Sequence, residues 1–548
     1  MTLSPRTTMT ISHTLAIVAT LLALPKATVQ ASDSTPRKPN IVVILADDLG
    51  YGDVQCYNKD RGKIPTPNID TLAAQGMRFT DGHSSSGVCS PSRYTLLTGR
   101  YHWRTRLQSG IVSLFGSPLI APDRMTIGSL AKKQGYRTAC IGKWHLGWNW
   151  PISKDQQPLL APSAPPGDAN TKALKKAATT NAIASKQQVD AWRDIFSKPI
   201  ADGPTTRGFD LYFGTDVPNW PPYCFIENNR TMGIPSDFLP RGLFQNHQAS
   251  LQGPALKDWK LEAILPALGN RAIQFINESS QRKEPFLLYM PLTSPHTPIS
   301  VNEEWKNKSG LSPFGDFVME TDAMVGRVLE ALDKTGSAEN TLVLFTSDNG
   351  CAAYIGVKDL EKKGHYPSGP LRGYKTSAWE GGHRVPFIVR WPKVVKPGST
   401  CGQLVYQADL IRTLSEVWGV ALPENAGEDS FSLMPLLKGE DKPIRENAVG
   451  AAASGTPAVR NGPWKYIPEP APDNNLPVQL YNLADDLGET QNLAGKMPEK
   501  VAEMKALLER LITKGRSTPG TPQKNDVEVI RYPRATPLQK KADAKQAK

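Results

Sequence analysis

Two unbroken apolar runs, each ending in acidic residues, most constrain the fold of this chain. Residues 41–46 lead into an Asp-Asp pair at 47–48, and residues 341–346 lead into an Asp-Asn pair at 348–349. Unbroken runs rich in β-branched residues are typical of strands that are covered on both faces, as in the parallel sheets of α/β proteins. Because polar groups at the carboxyl ends of such strands meet at one edge of the sheet, the two acidic pairs are predicted to lie side by side.

The remaining pattern predicts the domain organisation. Its 548 residues allow one large domain and a smaller one. We interpret 1–31 as a secretory signal peptide, 32–445 as the large domain with an insertion at 151–206, 446–525 as a small α+β domain with antiparallel strands and a helix, and 526–548 as a basic tail. The predicted fold class is α/β, with a large mixed, mostly parallel sheet flanked by helices.

Composition and charge exclude several classes of protein. Lys and Arg total 64 against 52 Asp and Glu, but much of the excess lies in the tail, and no nucleic-acid-binding module is present, so no nucleic-acid partner is expected. No apolar run reaches the roughly 18–20 residues of a membrane span, so stable membrane insertion is not expected. The signal peptide predicts an exported protein, either periplasmic or secreted.

The segment GVCSPSRYTLLTGR at 87–100 carries a candidate nucleophile. Pro91 suits a first helical turn and the two following leucines supply an apolar face, so Cys89 is predicted at a helix N-terminus, which favours negative charge. Arg93, one turn further on, reaches the same space. The alternative is a buried cysteine beside a surface arginine.

A second polar segment, GYRTACIGKWHLG, covers residues 135–147. If it is extended, Lys143 and His145 point to one side and Trp144 to the other, where the indole packs. Taken alone, such a pair is also typical of an exposed strand face.

These segments, in this order, resemble the type I sulfatases, the formylglycine-dependent arylsulfatase family of the alkaline phosphatase superfamily. The similarity extends from residue 40 to residue 483 and includes SPHTP at 294–298, TSDNG at 346–350 and EGGHRVP at 380–386. The resemblance implies an alkaline phosphatase-like fold and the conversion of Cys89 to formylglycine by a formylglycine-generating or equivalent maturation enzyme.

The resemblance also implies a metal site. The ligands of the family fall on Asp47, Asp48, Asp348 and Asn349, together with the modified Cys89. A set of three carboxylates and one amide suits one Ca²⁺ ion per chain and disfavours Zn²⁺. Either acidic pair alone would also be a common turn sequence.

The catalytic positions of the family fall on six residues. They are Cys89, Arg93, Lys143, His145, His296 and Lys375. The implied mechanism is covalent: one hydroxyl of the hydrated aldehyde attacks sulfur and the other then loses its proton to release sulfate. We assign activation of the attacking hydroxyl to Asp348. His296 and Lys375 are assigned to protonate or stabilise the leaving alkoxide, and His145 is assigned to accept the proton of the second hydroxyl.

The predicted function is therefore hydrolysis of sulfate monoesters, of small molecules or of saccharides. A phosphonate or phosphate ester hydrolase of the same superfamily is one alternative, and an inactive sulfated-glycan-binding protein is another. The segment NWPPY at 219–223 is either an aromatic platform for sugar stacking or a packed loop. Once Cys89 is modified, five cysteines remain, which allow up to two disulfides of unknown pairing.

Overall fold

The structure is a computed structural model that describes residues 1–2, 38–161, 183–239, 241–244, 250–282, 284–468 and 477–531. Nearly all of the predicted signal peptide lies outside the described residues, as do 162–182 of the insertion and 532–548 of the tail. Within the described ranges, no helix has the length and apolar character that a membrane span requires.

The described residues form a ten-stranded mixed sheet whose five central strands are parallel. From one edge to the other, its strands are Ser399–Cys401, Met77–Phe79, Phe387–Arg390, Thr341–Ser347, Asn40–Ala46, Phe286–Pro291, Arg137–Ile141, Leu211–Gly214, Ile226–Glu227 and Arg230–Thr231. The two runs that end in acidic residues are neighbours, with Ala46 paired to Ser347. The predicted sheet is therefore confirmed, including the position of its acidic strand ends.

The strand Asn40–Ala46 shows why apolar and polar residues do not alternate in these runs. The even-numbered residues from Val42 to Ala46 lie in one hydrophobic cluster, and the odd-numbered residues from Ile41 to Leu45 lie in the other. Side chains of a strand alternate between the faces of a sheet, so a sheet with helices on both faces needs apolar residues at every position.

Helices cover both faces of the sheet. The α-helices of the described residues are Pro67–Ala74, Cys89–Thr98, Ile127–Lys133, Lys186–Phe196, Ile264–Ser280, Pro313–Lys334, Val357–Lys362, Glu380–His383, Leu410–Val417, Met434–Leu437 and Pro498–Lys514. The helix that precedes the strand Thr341–Ser347 is Pro313–Lys334. The predicted helix N-terminus lies at Cys89, and this helix ends at Thr98, followed by Gly99 with a φ of 65°.

A second, smaller sheet follows the large one. Its four antiparallel strands are Asn447–Ala451, Pro457–Asn461, Trp464–Ile467 and Gln479–Asn482. Together with the helix Pro498–Lys514 it encloses a separate hydrophobic cluster. The smaller antiparallel sheet with its helix agrees with the predicted α+β character of this part of the chain, although its first two strands carry Gly, Ala and Pro rather than a β-branched run.

Three further features complete the fold. Short two-stranded sheets pair Gly82–His83 with Val405–Tyr406 and Asp237–Phe238 with Pro254–Ala255. All six cysteines, each of which lies in a described range, are unpaired. The beginning of the predicted basic tail is bound to the large domain, since the Asp526 carboxylate accepts a hydrogen bond from Arg100 at 3.0 Å.

Candidate active site

The candidate site lies at the carboxyl ends of the central parallel strands. Backbone hydrogen bonds hold the ends of these strands together: the N–H of Asp47 donates to the carbonyl of Ser294, and the N–H of Asp348 to the carbonyl of Ala46, both at 3.0 Å. Candidate site residues from separate segments of the chain therefore meet at one edge of the sheet, because parallel strands end at the same edge.

Cys89 lies at this edge, at the first turn of the helix Cys89–Thr98. Its thiol is buried, with 3% of the residue exposed, and ligand atoms of Cys89, Asp47 and Asp348 lie within 4.8 Å of one another. Burial raises the pKa of the thiol, although Lys143 and Lys375 act in the opposite direction. Arg93 is also fully buried, so the arginine of the alternative, a buried cysteine beside a surface arginine, does not lie on the surface.

Arg93 and Lys143 neutralise two of the buried carboxylates. Arg93 donates from Nε and Nη2 to Asp348 Oδ2, at 3.0 and 2.7 Å, and from Nη1 to the carbonyl of Lys143 at 2.8 Å. Lys143 Nζ donates to Asp47 Oδ2 at 2.9 Å. Although burial opposes charge on Arg93, the adjacent Asp348 and Asp47 raise its pKa, so the guanidinium stays protonated.

Lys375 and His296 lie on the other side of the cluster, at Asp48. Lys375 Nζ is 2.6 Å from Asp48 Oδ1, and His296 Nε2 is 3.7 Å from Asp48 Oδ2. Burial alone would raise the pKa of Asp48, but Lys375 and His296 lower it overall. Burial lowers the pKa of His296 well below its usual value, and its Nδ1–H donates to the carbonyl of Thr297.

His145 reaches the site by a backbone conformation that the sequence did not predict. The strand Arg137–Ile141 ends before Lys143, and His145 has a φ of 53°, so the predicted extended segment is wrong here. Its Nε2 lies 3.2 Å from the carbonyl of Val112, while Nδ1 is buried with no hydrogen-bond partner among the described residues. Trp144 packs into the core as expected, with 2% of the residue exposed.

The acidic cluster fits a hard divalent cation. Four buried residues offer oxygen atoms as metal ligands; they are Asp47, Asp48, Asp348 and Asn349. Asn349 Oδ1 is buried and, in the described part of the chain, accepts no hydrogen bond, although Nδ2 donates to Asp48 Oδ1 at 2.8 Å. Burial and the neighbouring Asp47 raise the pKa of Asp348, a repulsion that a cation would relieve.

Three residues of the site were missed or left open by the sequence. Asp216 accepts the backbone N–H of His145 at 3.1 Å, and burial raises its pKa to about 6. Because it follows the strand Leu211–Gly214, the same strand-end rule could have found it. Tyr354, half-exposed, places its hydroxyl 3.5 Å from Asp48 Oδ2, and Trp220 of the NWPPY segment stands with its ring 5.4 Å from that of His145.

Comparison with known proteins agrees with this geometry. A family model described as Sulfatase matches residues 39–420. The chain is 34% identical over 501 residues to an N-acetylgalactosamine-6-O-sulfatase of Bacteroides thetaiotaomicron, covering 87% of this chain and 94% of that protein. It is 31% identical over 551 residues to human arylsulfatase A, covering 91% and 94% of the two chains.

Solved structures show the same fold. A Bacteroides thetaiotaomicron protein, solved in connection with the metabolism of multiple glycosaminoglycans, superposes with a TM-score of 0.72 at 31% identity, over 87% of this chain and 99% of that one. Fold, site and relatives together define a sulfuric ester hydrolase with an alkaline phosphatase-like core. The chain belongs to the sulfatase family.

Proposed function

We propose that the protein is exported and hydrolyses sulfate monoesters of saccharides, with a formylglycine made from Cys89 and one Ca²⁺ ion. The observation that carries this proposal is the position of the buried Cys89 against Asp47 and Asp348, inside a group of three cations. The name of the N-acetylgalactosamine-6-O-sulfatase, to which the chain is 34% identical, supports a sulfated sugar as substrate.

The ion would be held by Asp47, Asp48, Asp348 and Asn349, together with the modified residue 89. When bound, Ca²⁺ supplies positive charge that stabilises the sulfuryl oxygens. The uncommitted Oδ1 of Asn349 and the three buried carboxylates supply the oxygen ligands that this ion prefers.

The modified side chain supplies covalent chemistry: one hydroxyl of the aldehyde hydrate attacks sulfur, and deprotonation of the other later expels sulfate. Asp348 is the carboxylate that we assign to accept the proton of the attacking hydroxyl, because one of its oxygens lies within 4.8 Å of the sulfur of Cys89 and its pKa is raised. The maturation enzyme that creates the aldehyde is the one protein partner that the proposal requires.

Charged residues hold the sulfuryl group. Arg93 and Lys143 are fully buried and already oriented by Asp348 and Asp47, so little reorganisation is needed when an anion binds. Lys375, whose pKa is raised by Asp48 despite burial, stays charged at the same site.

The two remaining proton transfers fall to the two histidines. His296 directs Nε2 towards Asp48, and the negative charge of a bound ester favours its protonated form, so it donates the proton to the leaving alkoxide while Lys375 stabilises that oxygen. His145 is bonded through Nε2–H to Val112, which leaves the lone pair of Nδ1 without a partner among the described residues. This nitrogen is the base that we assign to the second hydroxyl.

The test combines mass analysis with turnover. The wild-type protein is produced with a formylglycine-generating enzyme, and conversion lowers the mass of the Cys89 peptide by about 18 Da. Cys89→Ala should release no sulfate from sulfated sugars, whereas Cys56→Ala, a half-buried cysteine outside the site, should release it at the wild-type rate.

The rates at which the wild type hydrolyses the sulfate and the phosphonate ester of one chromogenic alcohol are then compared. A wild-type preference for the sulfate ester supports the proposal. Turnover by Cys89→Ala at the wild-type rate, or a preference for the phosphonate, contradicts it.

A further inference from the structure

A cleft of about 590 Å³ lies beside the candidate active site. Its walls come from three segments, residues 114–117, 148–161 and 250–252. The volume falls within the range of roughly 300–1,000 Å³ that is typical of small-molecule sites. None of the catalytic positions described above lines this cleft.

Two of the walls are bonded to the surroundings of His145. A single oxygen of Asp216 accepts both the backbone N–H of His145 and the indole N–H of Trp148, each at 3.1 Å. The carbonyl of Val112, two residues before the first wall, lies 3.2 Å from His145 Nε2. The N–H of Trp148 donates to the carbonyl of Gly116 at 2.9 Å, so these two walls also hold each other.

The third wall connects to the site through Trp220. The N–H of Leu251 donates to the carbonyl of Asn219 at 3.1 Å, and the ring of the next residue, Trp220, stands 5.4 Å from that of His145 at an angle of 76°. Trp220 is half-buried, so part of its surface is accessible. Trp220 therefore links His145 to the wall formed by residues 250–252.

The cleft combines aromatic faces with neutral polar groups. Trp150 stands perpendicular to Phe115 with 5.4 Å between ring centroids, and its centroid is 6.2 Å from that of Trp148. Amides and hydroxyls, including those of Gln157 and Ser117, share the lining, and none of the described lining residues carries a charge. Aromatic faces beside neutral hydrogen-bonding groups match the C–H faces and hydroxyls of a pyranose.

Two donors on these walls have no hydrogen-bond partner among the described residues. Trp150 Nε1 and Ser250 Oγ are buried and make no hydrogen bond within the described ranges. Buried donors of this kind are normally satisfied by protein, by water or by ligand.

We infer that this cleft binds an uncharged sugar unit that is glycosidically linked to the sulfated one. The inference rests on the proposed function and adds to it the class of substrate: an oligosaccharide in which the neighbour of the sulfated unit is neutral. A hexuronate or a second sulfated unit finds no cation among the described lining residues and is disfavoured there.

The experiment uses three substrates that share the sulfated sugar on which the wild-type enzyme is most active. They are the monosaccharide, its disaccharide with a neutral hexose and its disaccharide with a hexuronate. The wild-type kcat/KM should be about tenfold higher for the neutral disaccharide than for the monosaccharide, with no such gain for the hexuronate.

Trp150→Ala should abolish the gain and leave the monosaccharide rate unchanged, and the unchanged rate itself shows that the variant is folded. Phe115→Ala provides a second variant of the same wall. Trp464→Ala is the matched control, because Trp464 is a half-buried tryptophan of the C-terminal sheet and should keep the gain.

The outcomes separate the inference from the proposed function. A gain that persists in both Trp150→Ala and Phe115→Ala, an equal gain for the hexuronate, or no gain in the wild type would overturn the inference alone. Failure of the wild type to release sulfate from any sulfated sugar would overturn the proposed function, and the inference with it.

Discussion

At the scale of single residues, the site is a balance of buried charge. Three carboxylates face three cations; they are Asp47, Asp48 and Asp348 against Arg93, Lys143 and Lys375. All six groups are buried or nearly so, and unpaired charges in such a place would cost several kcal/mol each. A bound divalent cation makes the cluster net positive, which is the condition for admitting an anionic ester.

Ca²⁺ should therefore stabilise the fold through Asp348. Ligand at 100 times its Kd adds about 2.7 kcal/mol to the free energy of unfolding, so chelation should lower the Tm of the wild type by several degrees and added Ca²⁺ should restore it. Asp348→Asn should lose most of this response, which thermal unfolding with and without Ca²⁺ measures. The surface variant Asp333→Asn is the control, and a full Ca²⁺ response in Asp348→Asn would argue against the assigned ligand.

Arg93 should not tolerate replacement by lysine. Its guanidinium makes two hydrogen bonds to one oxygen of Asp348 and a third to the carbonyl of Lys143, a fork that an ammonium cannot reproduce. Arg93→Lys should reduce kcat/KM for a sulfate ester about 100-fold or more. Arg327→Lys, at an exposed arginine, should leave kcat/KM unchanged, and a comparable effect in both variants would remove Arg93 from the site.

At the scale of elements, strand ends and the turns that follow them place the functional groups. The helix Cys89–Thr98 is buried at all ten positions, although its sequence shows only a short apolar face. It is enclosed because it contacts the turn Gln407–Asp409 and the helices Leu410–Val417 and Ile127–Lys133, and its sequence carries no sign of these neighbours. The turn 142–147 after strand Arg137–Ile141 likewise depends on glycines at positive φ.

Gly147 should tolerate replacement poorly. Its φ is 85°, and a Cβ there would lie 2.2 Å from the carbonyl oxygen of Ser117. Gly135 also has a positive φ, 79°, but a Cβ there would meet nothing within 4 Å.

The two glycines form a matched pair. Gly135→Ala should cost only the left-handed strain of about 1–2 kcal/mol, and Gly147→Ala should cost clearly more because the backbone of 116–117 must move. Denaturant unfolding measures both. Equal losses in the two variants would show that close approach to Ser117 does not limit this turn.

At the scale of the whole molecule, the small C-terminal sheet supports the active-site loops. The N–H of Thr376, next to Lys375, donates to the carbonyl of Gly87 at 2.7 Å, and the N–H of Ala453 donates to the carbonyl of Thr376 at 2.9 Å. These bonds connect the loop of Lys375 to the segment before Cys89 and to the C-terminal sheet. We therefore propose that the predicted domain at 446–525 acts as part of the catalytic unit.

A buried ionic network joins the same two parts. Lys465 of the C-terminal sheet lies 2.9 Å from both Glu380 and Glu489, and Lys465 Nζ is 3.4 Å from His383 Nε2. His83, Glu380 and His383 could present ligand atoms to a metal, but the adjacent cations Lys465 and Arg460 disfavour one. The cluster is better explained as a structural network.

Glu489 should make stability depend on pH. Burial, aided by Glu380 and opposed by Lys465, raises its pKa to about 7. A carboxyl whose pKa is higher in the folded state favours folding while it is protonated, so this contribution is present at acidic pH and is lost as the pH rises through about 7. Glu489→Gln should flatten the fall in Tm between pH 5 and pH 8 by a few degrees.

The control for this effect is Glu503→Gln, at an exposed glutamate of the helix Pro498–Lys514. Thermal unfolding of the three proteins across that pH range makes the comparison. An unchanged slope in Glu489→Gln would mean that Glu489 does not carry the pH dependence.

Much of the fold and of the site follows from local sequence. The runs before Asp47 and Asp348 are typical of strands covered on both faces, and parallel strands bring their carboxyl ends together. Pro91 and the residues around it place Cys89 at a helix N-terminus. These features are predictable because strand and helix periodicity and strand-end geometry depend on neighbours in the chain.

Other features depend on tertiary structure alone. The conformation of His145 is held by Asp216, 71 residues away, and Lys375 reaches Asp48 across 327 residues. The cleft beside Trp220 combines three separate segments, which backbone hydrogen bonds such as those from Trp148 to Gly116 and from Leu251 to Asn219 hold in place. The sequence by itself determined which groups stand at the strand ends, and the tertiary structure decided which distant groups face them, because buried charges and buried backbone groups must find partners wherever the folded chain supplies them.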